Sequence, residues 1–123
     1  MILNHVSLGV SQFEKSVAFY DSVLATLSVN RTHTIEGEAA CYGDQFEFWI
    51  GCSCQTSSTA GSGVHIAFNA TSEQSVVAFY TKALEMGGQC AGEPGLREHY
   101  APGYFAAYVL DLDGNKLEAV VQL

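Results

Sequence analysis

The stretch that opens at His5 and the stretch that opens at His65 match along a strand and the helix after it, and this constrains the chain more than any other feature. A chain that repeats itself at such a period folds as copies of one supersecondary unit, neither of which buries its apolar face alone. At an offset of 60 residues, from position 5 to position 65, His5-Val6-Ser7-Leu8-Gly9-Val10 lies over His65-Ile66-Ala67-Phe68-Asn69-Ala70. Val17-Ala18-Phe19-Tyr20 then lies over Val77-Ala78-Phe79-Tyr80 without a gap, and Leu24 falls on Leu84.

Helix-start chemistry repeats as well. Ser11 with Glu14 and Thr71 with Gln74 have the S/T-x-x-E/Q spacing of a capping box, in which each side chain satisfies an orphaned backbone N–H. Phe13, Val17, Tyr20, Leu24 and Leu27 in the first copy, and Val77, Tyr80 and Leu84 in the second, predict one apolar stripe per helix laid on a sheet. The first pattern fades at Leu27-Ser28, and Gly87-Gly88 stops the second. Strand-like runs follow: Asn30 to Ile35, Ala39 to Tyr42 and Phe46 to Gly51, then Gln89 to Gly92, Tyr104 to Leu110 and Lys116 to Gln122. Asp111-Leu112-Asp113-Gly114-Asn115 reads as the turn before the last run.

The expected fold is therefore α+β, with two βαβββ modules in one domain spanning 1–123. Module one takes residues to about 54, the Ser/Thr/Gly-rich stretch Gln55 to Gly63 is the linker, and module two runs from about 64 to the end.

Five Lys and Arg against 13 Asp and Glu leave a formal charge of −8, a field that repels phosphate backbones and anionic membranes. Nucleic acid and membrane are not expected as partners. An anionic substrate would need a local cluster of cations, and the stretch around Arg97 and His99 is the candidate. No run approaches the roughly 18 apolar residues of a membrane span, and Met1 to His5 lacks the basic start of a secretory signal, so a cytoplasmic location is expected. Cys41, Cys52, Cys54 and Cys90 are too few and too irregular for a disulfide scaffold, and are expected to be buried or idle thiols.

Alternation along the strands sorts the side chains. Val6, Leu8 and Val10 share one face, and His5, Ser7 and Gly9 the other. Ile66, Phe68 and Ala70 similarly oppose His65, Ala67 and Asn69, and Leu117, Ala119 and Val121 oppose Lys116, Glu118 and Val120. With Phe46, Phe48 and Ile50 as a core row, Glu47 and Trp49 fall on the polar side. The expectation is one concave face that collects His5, His65, Glu118, Trp49 and, in one register, Glu47. Two neutral imidazoles and a carboxylate on neighbouring strands suit a divalent transition metal with positions open to substrate. The alternative is that each histidine only hydrogen-bonds within a half-buried sheet.

With Asn4-His5-Val6-Ser7-Leu8-Gly9-Val10, Ser16-Val17-Ala18-Phe19-Tyr20-Asp21, Gly63-Val64-His65-Ile66-Ala67-Phe68 and Leu112-Asp113-Gly114-Asn115-Lys116-Leu117-Glu118-Ala119, the chain resembles the vicinal oxygen chelate superfamily over its whole length. This is the superfamily of glyoxalases, bleomycin-resistance proteins and extradiol dioxygenases. The resemblance implies a cupped mixed sheet that forms a cleft, usually completed in a homodimer. It also implies a divalent metal ion (Zn, Ni, Mn or Fe) held by His5, His65 and Glu118, which chelates vicinal oxygens of a small substrate. Lyase, isomerase, thiol transferase and dioxygenase chemistry all occur in the superfamily. Members that isomerise hemithioacetals carry a fourth ligand where Trp49 aligns here, which counts against glyoxalase I activity. The rival reading is a metal-free drug-binding protein like the bleomycin-resistance proteins.

The turn-rich stretch from Gly92 to Tyr104, with two prolines and three glycines, is expected to be a shaped loop beside this site. Arg97 is a candidate clamp for a carboxylate or phosphonate, His99 for proton transfer, and Tyr100 or Tyr104 for a hydrogen bond to a polarised oxygen. Trp49 and Tyr104 are the candidate substrate contacts. Opposed to this are a surface pair of Arg97 with Glu93 or Glu98, a solvated His99 and tyrosines that merely pack the rim. His33 is read as structural.

Overall fold

The computed structural model describes residues 2–53 and 60–123, so Cys54 and the first half of the expected linker lie outside the described residues. The element order is β1 (Val6–Val10), α1 (Phe13–Ala25), β2 (Arg31–Ile35), β3 (Ala39–Tyr42), β4 (Phe48–Cys52), β5 (His65–Asn69), α2 (Glu73–Glu85), β6 (Gln89–Leu96), β7 (Tyr104–Leu110) and β8 (Lys116–Gln122). This is βαβββ twice. Each module forms its own four-stranded mixed sheet, in the order β1-β4-β3-β2 and β5-β8-β7-β6, so the expected cupped sheet is realised as two sheets. In both, the first strand runs parallel to the last and the remaining pairs are antiparallel. No helix among the described residues is long and apolar enough to cross a membrane.

Register carries the sequence repeat into three dimensions. Ser7 pairs with Trp49 across β1 and β4, and Ala67 pairs with Glu118 across β5 and β8. Since Ser7 and Ala67 are repeat equivalents, Trp49 and Glu118 occupy equivalent places. Cys41 pairs with Trp49 and Tyr108 with Glu118 one strand further in.

One apolar core runs through both modules. Phe19, Tyr20, Leu24, Ile50, Phe79 and Leu117 are among its fully buried members, and Phe48 of module one meets Phe68 of module two edge to face at 5.0 Å. The α1 stripe of Phe13, Val17, Tyr20, Leu24 and Leu27 is buried as expected. The α2 stripe is not: Val77 and Leu84 are exposed, and Val76, Phe79 and Ala83 form the core face instead. Both rows are apolar at the same spacing, so periodicity did not choose between them. Helix α1 buries the equivalent second row, Ser16, Phe19 and Val23, as well. It is packed on two sides, whereas α2 is packed on one.

The capping boxes are also corrected. Gln12 stands at the N-cap of α1 with no side-chain cap bond, and the backbone N–H of Ser11 donates instead to Asp113 Oδ1 at 3.0 Å. In α2 the cap is Ser72 rather than Thr71, with its Oγ accepting from the Ser75 N–H at 3.1 Å. Phe46, placed in the core row from sequence, takes φ 56° before β4 begins and is half exposed. Among the cysteines, Cys41 and Cys90 are free, but Cys52 is disulfide-bonded and so is not an idle thiol.

The turn from Asp111 to Asn115 joins the modules. The buried carboxylate of Asp111 accepts from the Tyr20 hydroxyl at 2.5 Å, from the N–H groups of Asp113 and Asn115 at 2.9 and 2.8 Å, and from Asn115 Nδ2 at 2.9 Å. Asn115 Nδ2 also reaches the carbonyl of Gly9 at 3.2 Å. Gly114, at φ 87°, closes the turn in a conformation that a side chain would strain. Asp111→Ala, which leaves these donors unpaired in an apolar site, is expected to cost about 3 kcal/mol in urea unfolding, and Tyr20→Phe about 1–2 kcal/mol.

Burial first, and then the charge and hydrogen bond of Asp111, push the Tyr20 phenol well above its ordinary value; Tyr42 is raised by burial and then by Asp21. The folded chain holds these two protons more tightly than the unfolded chain does. Their contribution to stability is complete below about pH 10 and declines as pH rises above it toward the folded values. Cooperative alkaline unfolding accompanied by tyrosine ionisation is expected, with a shallower pH dependence in Tyr20→Phe.

Candidate functional site

On β8, Glu118 points to the face away from the helices yet is only 2% exposed. Its neighbours explain this. Tyr108, its partner on β7, lies against it, and Tyr104 reaches over the small Ala106 to donate its hydroxyl to Glu118 Oε2 at 2.5 Å. The other oxygen, Oε1, lies 3.1 Å from His65 Nε2. His65, the first residue of β5, is nearly half exposed and sets its ring 6.2 Å from that of Tyr108. The hydrogen bond to Glu118 leads the causes that push the Tyr104 phenol up to about 12, ahead of burial. Burial and then the charge of Glu118 raise that of Tyr108. Both hydroxyls therefore remain donors at neutral pH.

His5 immediately precedes β1 of the other sheet. Its Nδ1 pairs with Asn4 Oδ1 at 2.6 Å, and its ring meets Trp49 edge-on at 6.4 Å. His33, read as structural, also meets this indole edge-on at 6.3 Å. Trp49 is held by its Nε1–H, which donates to the Phe46 carbonyl at 2.9 Å. Glu47 lies outside this arrangement, since its Oε1 accepts from the Gln45 N–H at 2.8 Å in the preceding turn. Among the described residues no three His, Cys, Asp or Glu side chains converge within one chain. The single face expected to collect His5, His65 and Glu118 is thus divided between the two sheets.

The Gly92 to Tyr104 stretch is corrected as well. Its first part is strand, because β6 continues to Leu96 with irregular pairing at Gly92 and Gly95, and the turn proper begins at Arg97. Strand β6 is the sheet edge, where Pro94 forfeits no ladder hydrogen bond. Arg97 pairs with neither neighbouring carboxylate. Its Nη2 donates to the main-chain oxygen of Glu93 at 2.7 Å, and Glu98 Oε2 accepts from the Gly103 N–H. The Arg97 guanidinium stands 5.5 Å from the centre of the Tyr108 ring. His99 stacks on the exposed Tyr100 at 4.3 Å, and Tyr100 contacts Tyr104, which places His99 at the rim, two rings away from Glu118.

Tyr108 and Lys116 are the site residues that sequence reasoning passed over. The signal was available: once the Asp-Gly turn pairs β7 with β8, Tyr108 falls opposite Glu118, and Lys116 is two residues before it on the same face.

Residues 2–119 match the Glyoxalase/Bleomycin resistance protein/Dioxygenase superfamily, and the chain belongs to it. Among its relatives is the Metallothiol transferase FosB of Shouchella clausii, 29% identical over 120 residues that cover 94% of this chain and 77% of that protein. A glyoxalase/bleomycin resistance protein from Albidiferax ferrireducens T118 superposes with a TM-score of 0.88 at 30% identity, over 98% of each chain. The fosfomycin resistance protein FosX of Listeria monocytogenes shares the fold, with a TM-score of 0.70 at 17% identity over 98% of this chain and 92% of its own.

Tyr104→Phe removes a described partner of a buried carboxylate oxygen. It is expected to lower stability by about 1–3 kcal/mol in urea unfolding, whereas Tyr100→Phe, at an exposed ring, stays within about 0.5 kcal/mol.

Proposed function

We propose that the protein is a metal-dependent enzyme of this superfamily whose active site is completed between two copies, His65 and Glu118 coming from one and His5, flanked by Trp49, from the other. The observation that carries this reading is the division of the donors. His65 and Glu118 stand side by side at 3.1 Å on one sheet, while His5 precedes the first strand of the other sheet, with its ring against Trp49. In a twofold dimer each face meets its complement, and two identical sites form. The exposed apolar residues Leu3, Phe46, Val64 and Leu96 are consistent with surface that a partner covers.

The donor set fits a divalent transition ion in kind, two imidazoles and a carboxylate, although one chain supplies only the His65–Glu118 part of it. When bound, such an ion supplies Lewis-acid stabilisation of charge that develops on substrate oxygen. The protein's own residues supply the rest. The Tyr104 hydroxyl fixes Glu118 in one orientation, Tyr108 provides an apolar wall next to His65, and Trp49 fills the place equivalent to Glu118 in the other module. A tryptophan there leaves three ligands and no fourth carboxylate. Together with the metallothiol transferase relative, this favours group transfer, such as thiol addition to a small oxygen-bearing electrophile, over hemithioacetal isomerisation.

Metal content of protein purified without chelator tests the reading. About one ion per chain is expected, lost by tenfold or more in His5→Ala, His65→Ala and Glu118→Ala and unchanged in Glu47→Gln. Mixing the His5→Ala and His65→Ala proteins under conditions of subunit exchange should restore binding, because each mixed dimer carries one intact site. Metal undiminished in the three alanine variants would remove the proposal. Wild-type protein devoid of metal would instead establish a second reading, a metal-free binding protein.

A further inference from the structure

The two oxygens of the buried Glu118 carboxylate have different partners. Oε1 lies 3.1 Å from His65 Nε2, and Oε2 accepts from the Tyr104 hydroxyl at 2.5 Å. A short O–H···O bond to a carboxylate is charge-assisted and among the stronger hydrogen bonds a protein makes. A carboxylate with both oxygens unengaged can chelate a cation through the two of them. One whose second oxygen is held by a phenol must break that bond first.

The fold holds Tyr104 in this place from several sides. Its N–H donates to the Ala101 carbonyl at 3.2 Å and its carbonyl accepts from the Arg97 N–H at 2.7 Å, so it closes the turn as the first residue of β7. That turn is fastened to the end of β8, where the Leu123 N–H donates to the Gly103 carbonyl at 2.8 Å and Gln122 Nε2 to the Pro102 carbonyl at 2.5 Å. Gly103, at φ 75°, is required at the junction, since a Cβ there would stand 2.5 Å from the Leu123 oxygen. The Tyr104 phenol then passes over the fully buried Ala106 to reach Glu118, four residues back along β8 from its own cross-strand partner Gln122. Module one has no counterpart. Cys41 pairs with Trp49 as Tyr108 pairs with Glu118, and four residues before Cys41 stands Gly37, which has no side chain.

We infer that Tyr104 is a positioning residue that confines Glu118 to a single ligand oxygen, Oε1 beside His65, and so keeps a coordination position free for an oxygen of the substrate. The inference rests on the metal-dependent reading above. It also moves Tyr104 out of the substrate contacts expected from sequence, because its one hydroxyl proton is already committed to Glu118. Zinc is satisfied by four ligands, whereas larger, oxygen-preferring ions take six or more, so a carboxylate restricted to one oxygen disfavours the larger ions.

The test uses the full chain loaded with Co2+, whose visible absorption weakens as ligands are added, and with Zn2+ and Mn2+ in competition with a chelating dye. Tyr104→Phe is expected to show weaker cobalt bands, to lose about tenfold in zinc affinity and less in manganese affinity, and to bind acetohydroxamate, a two-oxygen chelator of the loaded ion, about tenfold less tightly. Ala106→Val keeps the phenol but lifts it off Glu118, and should give the same spectral change, which decides the matter if Tyr104→Phe does not fold. Val109→Ala, a core truncation on the same strand, should lose stability yet keep the wild-type spectrum. Wild-type spectra and acetohydroxamate affinity in both Tyr104→Phe and Ala106→Val, or the same spectral change in Val109→Ala, would overturn the positioning role and leave the metal reading standing. A wild-type chain that takes up none of the three ions would overturn both.

Discussion

The Asp111 carboxylate ties the two modules together. It is buried, and the groups around it come from two places: Tyr20 on α1 and the turn that carries it, whose Asn115 also holds the end of β1. A charge taken out of water this way is tolerated only when its lone pairs are filled, and here four hydrogen bonds fill them. Because the turn leads directly into β8, the orientation of Asp111 sets where Glu118 emerges relative to module one. The site therefore inherits its placement from a contact between modules on the opposite side of the sheet.

Sheet register does the remaining positioning. Parallel pairing of the first and last strand in each module puts a histidine at the head of one strand and a chemically distinct residue on its neighbour: Trp49 in module one, Glu118 in module two. The two modules differ here among other positions, with rings gathered on one side (His5, Trp49, His33) and donors on the other (His65, Glu118, Tyr104). Arg97 and Lys116 add positive charge to the second side only.

Much of this was legible before any coordinates. The repeat, the strand alternation and the Asp-Gly turn located the elements and put His5, His65, Glu118 and Trp49 on polar faces, because alternation along a strand is a local property. What misled was also local. Val77, Tyr80 and Leu84 have the spacing of a core stripe, but an equally apolar row one residue earlier faces the sheet. Ser11 and Thr71 have the chemistry of caps, but the Ser11 N–H is taken by Asp113, 102 residues away. Pro94 and its glycines suggested a loop, but an edge strand tolerates them.

By itself, the sequence determined the two βαβββ units and put His65 and Glu118 on the polar rows of their strands, since these depend on periodicity within a few positions. Tertiary structure alone decided which faces meet. Packing the modules through their apolar sides turns His5 and His65 onto separate sheets. The same packing lets Tyr104 lock Glu118 and gathers Arg97 and Lys116 on Tyr108. Those are relations between strands distant in the chain, fixed by register and by burial of the shared core, and no local pattern encodes them.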